Sequence, residues 1–152
     1  MFMTPIPRAA LVLGLAGLLP FLWGAATLLS DGLAEAGLRI LGPRFVGPFV
    51  QLQYGTIILA FMSGVLWGFA TRATGAAATA GYALSVIPAL WAFFFVGGGP
   101  VSAGIYLIAG FLGLLVLDWS FWRQGLAPPW WMALRIGLTA VVVACLAVGV
   151  WA

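Results

Sequence analysis

The sequence predicts an all-α integral membrane protein, a single five-helix transmembrane domain over residues 1–152, with a short interfacial amphipathic helix between helices one and two. Three observations predict it. Charged residues make up 6% of the chain, against roughly a quarter in a soluble domain. The mean hydropathy is +1.19, so most of the outside must face something other than water. Apolar runs of about 20 residues, enough to cross a hydrocarbon core of about 30 Å, recur along the chain.

The first span is expected from Pro7 to Leu29, with Pro20 kinking it. Its apolar run from Ala9 to Leu29 exceeds the roughly 7 to 15 residues of a signal h-region, and no small-x-small cleavage site follows. It therefore reads as a retained transmembrane helix. The connection Ser30 to Gly47 places Asp31, Glu35 and Arg39 on an i, i+4 column, with Leu33, Ala36, Gly37, Ile40 and Leu41 opposite. That pattern suits a helix lying in the headgroup region, with Glu35 and Arg39 ordered for a helical ion pair. It serves as a solvated connection or as a docking surface for a partner.

The second span is expected over Pro48–Ala70, and the third over Ala76–Val96 with Pro88 inside. The breaker GGGP, residues 97 to 100, ends the third. The fourth is expected over Val101–Arg123 and the fifth over Pro129–Trp151. Internal prolines are tolerable because neighbouring helices re-satisfy the freed carbonyls.

With the N-terminus inside, the inner side carries Arg8, Arg72, Arg123 and Arg135, and the outer side carries Arg39 and Arg44. Four against two predicts N-in and C-out. Six scattered arginines make no basic patch for a phosphate backbone, so nucleic acid is not an expected partner. The chain has no His and a single cysteine, Cys145. Histidine-ligated haem, ordinary zinc sites, an intrachain disulfide and Ser-His triads are thereby excluded, and no metal site is expected.

The stretch LDWSFWRQGLAPPWWMALR, residues 117 to 135, holds Asp118, Arg123, Arg135 and four of the eight tryptophans. GLAPP breaks the helix between the fourth and fifth spans, and Asp118 and Arg135 are equidistant from that turn. In an antiparallel hairpin they reach similar depth, roughly 10 Å below the turn. Unpaired charges at that depth cost several kcal/mol, which predicts an Asp118–Arg135 ion pair stapling the two helices. A proton or substrate path is the functional alternative, but no further titratable group lies at mid-depth to extend it. Trp119, Trp122, Trp130 and Trp131 are expected as interfacial anchors, their N–H groups reaching headgroups, with Arg123 snorkelling beside them. Trp23, Trp91 and Trp151 mark the opposite interface.

Along the second span, Gln53, Thr56, Ala60, Ser63, Gly64, Trp67 and Thr71 share one stripe, and Ala60, Gly64 and Gly68 repeat at four-residue spacing. Ala77, Gly81, Ser85 and Ala89 form a matching column in the third span. Small residues at this spacing let helix backbones approach closely. The alternative is a polar cleft at Gln53, Thr56, Ser63 and Ser85, opening toward Gln51, Gln53 and Tyr54 and taking a lipid head or a quinone-like ligand.

Four segments together resemble a family of small bacterial and mitochondrial membrane proteins catalogued only as a domain of unknown function. They are IPRAALVLGLAGLLPFL, YGTIILAFMSGVLWG, SVIPAL and GLAPPWWMALRIGLT, spread in order over nearly the whole chain. In the second of these the family has a His or Arg just before WG, where this chain has Leu66. The family's D…P-W…R pattern falls on Asp118, Pro129, Trp130 and Arg135. The resemblance implies a five-helix protein of the bacterial inner (cytoplasmic) membrane, and it supplies no catalytic residues. With N-in and C-out, the N-terminus is cytoplasmic and the C-terminus periplasmic.

Three functions remain. The first is a non-catalytic accessory or assembly component that packs against a larger membrane protein complex. The second is a small transporter or channel, with which helices broken at Pro20 and Pro88 are compatible. The third is a lipid- or quinone-binding protein; as an enzyme it would lack an acid–base set, having no His and one deep Asp. No cofactor is called for beyond a bound lipid or quinone. Membrane lipids are the remaining expected partner.

Overall fold

The computed structural model describes residues 5–152, in which all the regular structure is helical. Seven of the eight α-helices among the described residues build five spans long and apolar enough to cross a membrane, and the chain is a multi-pass membrane protein. Helices α1 (Arg8–Ala16) and α2 (Leu19–Leu29) form the first span, and α3 (Asp31–Ile40) is the amphipathic connector. Helix α4 (Gly47–Ala70) is the second span, α5 (Gly75–Ser85) and α6 (Ile87–Phe95) the third, α7 (Pro100–Arg123) the fourth and α8 (Trp131–Trp151) the fifth. Span ends fall within two residues of those expected.

Proline chemistry cuts the two broken spans. Pro20 has no N–H for the Ala16 carbonyl and crowds it, so α1 closes at Gly17–Leu18 with a Leu18 N–H to Leu15 carbonyl bond of 3.0 Å. Pro88 breaks the third span at Val86 in the same way. There the Ser63 hydroxyl of α4 accepts the Ala89 N–H at 2.8 Å, so a neighbouring helix satisfies a donor at the break.

Helix α4 runs uninterrupted and packs against α2, α5, α6 and α7. Leu59, Leu66, Leu107, Phe111, Leu114 and Leu146 have at most 1% of their surface exposed and centre the core on α4, α7 and α8. Close approach is bought by glycine: a Cβ at Gly55 of α4 would lie 2.9 Å from Leu107 Cδ1 of α7. Helix α3 is capped by Ser30, whose hydroxyl accepts the Leu33 N–H at 3.3 Å, and carries Asp31 in its first turn and Arg39 in its last. Glu35 and Arg39 stay unpaired, as exposed side chains of little pairing energy do.

The small-residue column expected to bind the second span to the third is displaced. Ala60, Gly64 and Gly68 are exposed, and a Cβ on either glycine would meet nothing within 4 Å. The α4 face turned to the third span instead carries Ser63 and Ala70, met there by Ala89 and Gly81. Four-residue spacing marks a smooth helix face but not its direction: exposed Gly64 and buried Ser63 are adjacent in the chain yet point about 100° apart around the helix.

Candidate functional site

The GLAPP turn folds α8 back along α7, and Arg72, from the loop after α4, donates to the Leu126 carbonyl at 2.9 Å to hold it. Asp118 lies five residues before the end of α7 and Arg135 four residues into α8, so both reach roughly one helical turn into the bundle. Asp118 is fully buried and Arg135 is 6% exposed. Arg135 Nε donates to Asp118 Oδ2 at 2.9 Å, and this is the one salt bridge among the described residues. The other oxygen, Oδ1, accepts the Trp131 indole N–H at 3.0 Å. Each carboxylate oxygen thus has a donor, but Arg135 Nη2 is buried with no hydrogen-bond partner. One turn along α8, the hydroxyl of Thr139 is buried and unpartnered too.

Both residues line a cleft of about 410 Å³ where α1 leaves the bundle. Helix α1 contributes no buried residue and touches mainly α8, so a wedge opens between it, α4 and α8. Phe21 floors the cleft with Tyr54 and Phe111 edge-on to it, at ring-centre distances of 5.3 and 5.9 Å. Leu13 of α1 and Phe61 of α4, 72% and 65% exposed, stand at its mouth on the lipid-facing side. The cleft is an apolar, partly aromatic slot whose lining includes Arg135 and Thr139.

The four residues of the expected polar cleft do not converge. Gln53 is half-buried and tied to Arg44, accepting from its Nη2 at 2.7 Å and donating to its carbonyl at 3.2 Å. Thr56 donates to the Leu52 carbonyl at 2.8 Å, and Ser85 to the Tyr82 carbonyl at 2.7 Å. Ser63 serves the helix break. Each answers a nearby main-chain or side-chain group, which is the common fate of a hydroxyl or amide in an apolar helix. Gln51, expected at the mouth, lies inside: 1% exposed, its amide donates to the Phe21 carbonyl at 3.2 Å and the Cys145 carbonyl at 3.0 Å. It ties α2 and α8 to α4.

The tryptophans divide as well. Trp119 is 45% exposed with the Arg123 guanidinium 5.2 Å from its ring centre, an arrangement suited to an interface. Trp130 is half-buried against Trp131. The Trp122 N–H reaches the Pro129 carbonyl at 3.1 Å, and that of Trp131 reaches Asp118, so neither points to headgroups as expected. Polar groups inside the hairpin compete for those indoles and lie nearer than lipid. Sequence reasoning missed Thr139; its i, i+4 spacing from Arg135 was the available signal.

Residues 6–151 match a family described as "Protein of unknown function (DUF3429)". The chain belongs to this family. It is also 35% identical over 142 residues to Transmembrane protein 69 of Xenopus tropicalis, covering 90% of this chain and 51% of that protein. The chain thus spans about half the length of this curated relative. No solved structure matches. Membership of the DUF3429 family brings no activity with it.

Proposed function

We propose that this DUF3429 protein is a non-catalytic membrane protein that holds a lipid-like ligand in the cleft between α1, α4 and α8. The observation that carries this reading is an apolar slot lined by Arg135 and Thr139, two residues that each hold a polar atom without a partner. A buried polar atom without a partner costs about 1–3 kcal/mol, a cost that a bound acceptor removes. The 410 Å³ volume falls within the usual range for a small-molecule site. Exposed Leu13 and Phe61 at the mouth support entry sideways from the bilayer.

The test is purification in mild detergent, followed by native mass spectrometry and extraction of what stays bound. The reading expects a hydrophobic molecule retained by the wild type and lost from Gly17→Leu, whose side chain would enter the cleft beside Tyr54. Equal retention by both proteins would sink it.

A second reading, an accessory component of a larger membrane complex, is favoured by the exposed column Ala60, Gly64 and Gly68 on α4. A column of this kind lets another membrane helix approach closely. A pull-down at native expression level tests it, with Gly64→Leu expected to release the partner without lowering the melting temperature. The arginine distribution supports an inner-membrane orientation with the N-terminus cytoplasmic and the C-terminus periplasmic, which reporters fused to the two ends check.

A further inference from the structure

The geometry points to the chemical class of the ligand: a neutral, carbonyl-bearing ring with an apolar tail, of the prenylquinone type, its carbonyl oxygen held by Arg135 and Thr139 at the cleft wall. This rests on the reading of the cleft as a ligand site. Arg135 can only donate, and the Thr139 hydroxyl can donate as well as accept, so a ligand that meets both brings an acceptor. Charge then separates the acceptors. Arg135 is already neutralised by Asp118 at 2.9 Å, and among the described residues no second cation lines the cleft. A carboxylate or phosphate there would leave one net negative charge in an apolar enclosure, and ions so placed are strongly disfavoured. A carbonyl oxygen accepts a charge-assisted bond from the guanidinium and adds no charge.

Shape narrows the class further. Phe21, Tyr54 and Phe111 meet edge to face, and such aromatic walls suit a flat ring. A volume of 410 Å³ holds a substituted ring with the start of a tail, and the open mouth between Leu13 and Phe61 lets the rest run into lipid. A two-chain phospholipid would have to leave its charged head at Arg135, inside the bundle, where a headgroup has no water.

The test measures binding of three probes to the full chain in phosphatidylcholine nanodiscs, by quenching of tryptophan fluorescence and by competition. The probes are a short-tailed ubiquinone analogue, oleate and phosphatidylglycerol. The proposal expects saturable binding of the quinone only, weakened about 3- to 10-fold in Thr139→Val, which loses one neutral hydrogen bond, and restored in Thr139→Ser. Saturable binding of oleate or phosphatidylglycerol that displaces the quinone would overturn the neutral class while leaving the cleft a ligand site. Binding of no probe, with nothing retained through purification, overturns both readings. Equal quinone affinity in wild type and Thr139→Val overturns the placement of the carbonyl.

Discussion

Removing the carboxylate of Asp118 isolates what the α7–α8 contact contributes. Asp118→Ala deletes two acceptors, those of Arg135 Nε at 2.9 Å and Trp131 Nε1 at 3.0 Å. Interhelical hydrogen bonds in membranes average about 0.6 kcal/mol and reach about 1.7, so the two bonds alone set a floor near 1 kcal/mol. The variant also strands a guanidinium that is 6% exposed and already has one unmet nitrogen. Breaking a buried pair from one side costs roughly 3–5 kcal/mol in soluble proteins, and we expect about 3 kcal/mol here. Arg135→Ala should cost about as much, because the fully buried carboxylate keeps only the indole. The double variant removes both charges and should be at least about 1 kcal/mol less damaged than the two losses summed. Cys145 supplies the assay: it is the only cysteine and is 6% exposed in α8, so a fluorogenic thiol reagent reports opening of the core during a detergent melt. Losses that add to within about 0.5 kcal/mol would refute the pair as an energetic unit.

Gln51→Leu should lower stability by about 2 kcal/mol in the same melt, because the bonds to the Phe21 and Cys145 carbonyls vanish together. Ser63→Ala leaves the Ala89 N–H at the third-span break without its acceptor, and a loss of about 1 kcal/mol is expected. Trp131→Phe keeps most of the packing but removes the donor to Asp118 Oδ1, which should cost about 1–2 kcal/mol; an unchanged melt would mean the indole bond is dispensable. Thr139→Val deletes a hydroxyl with no partner, so the ligand-free protein should be unaffected or slightly stabilised even as ligand affinity falls. A clear destabilisation of the ligand-free form would show that the hydroxyl has a structural partner.

Hydropathy made the five spans legible because a bilayer imposes one length on every crossing helix, and Pro and Gly mark the ends. The depth of Asp118 and Arg135 was equally legible, since a hairpin turn sets the depth of residues on either side of it. Direction was harder to read. Trp131 and Trp119 are both tryptophans near a turn, yet one indole points at a carboxylate and the other lies under Arg123 at the surface. Pattern ranks residues by depth but does not say which way a ring faces. Ser63 and Gly64 show the same limit: in a membrane both faces of a helix are apolar, so the contrast that orients an amphipathic helix in water is missing. The cleft was hidden for a different reason. It arises from the way α1 stands away from α4, a matter of packing between distant residues that leaves no periodic trace.

Gln51 sets a condition on how the molecule comes into being. Its amide bridges a carbonyl 30 residues earlier and another 94 residues later, the second near the far end of the last helix. Chains emerge from the ribosome in order, so the first four spans enter the bilayer while one amide hydrogen of Gln51 still lacks its native acceptor. The bundle is therefore sealed from its C-terminal end. A chain stopped before Cys145 would carry an unsettled polar group among its first spans, held among apolar helices at the cost of one unmade hydrogen bond.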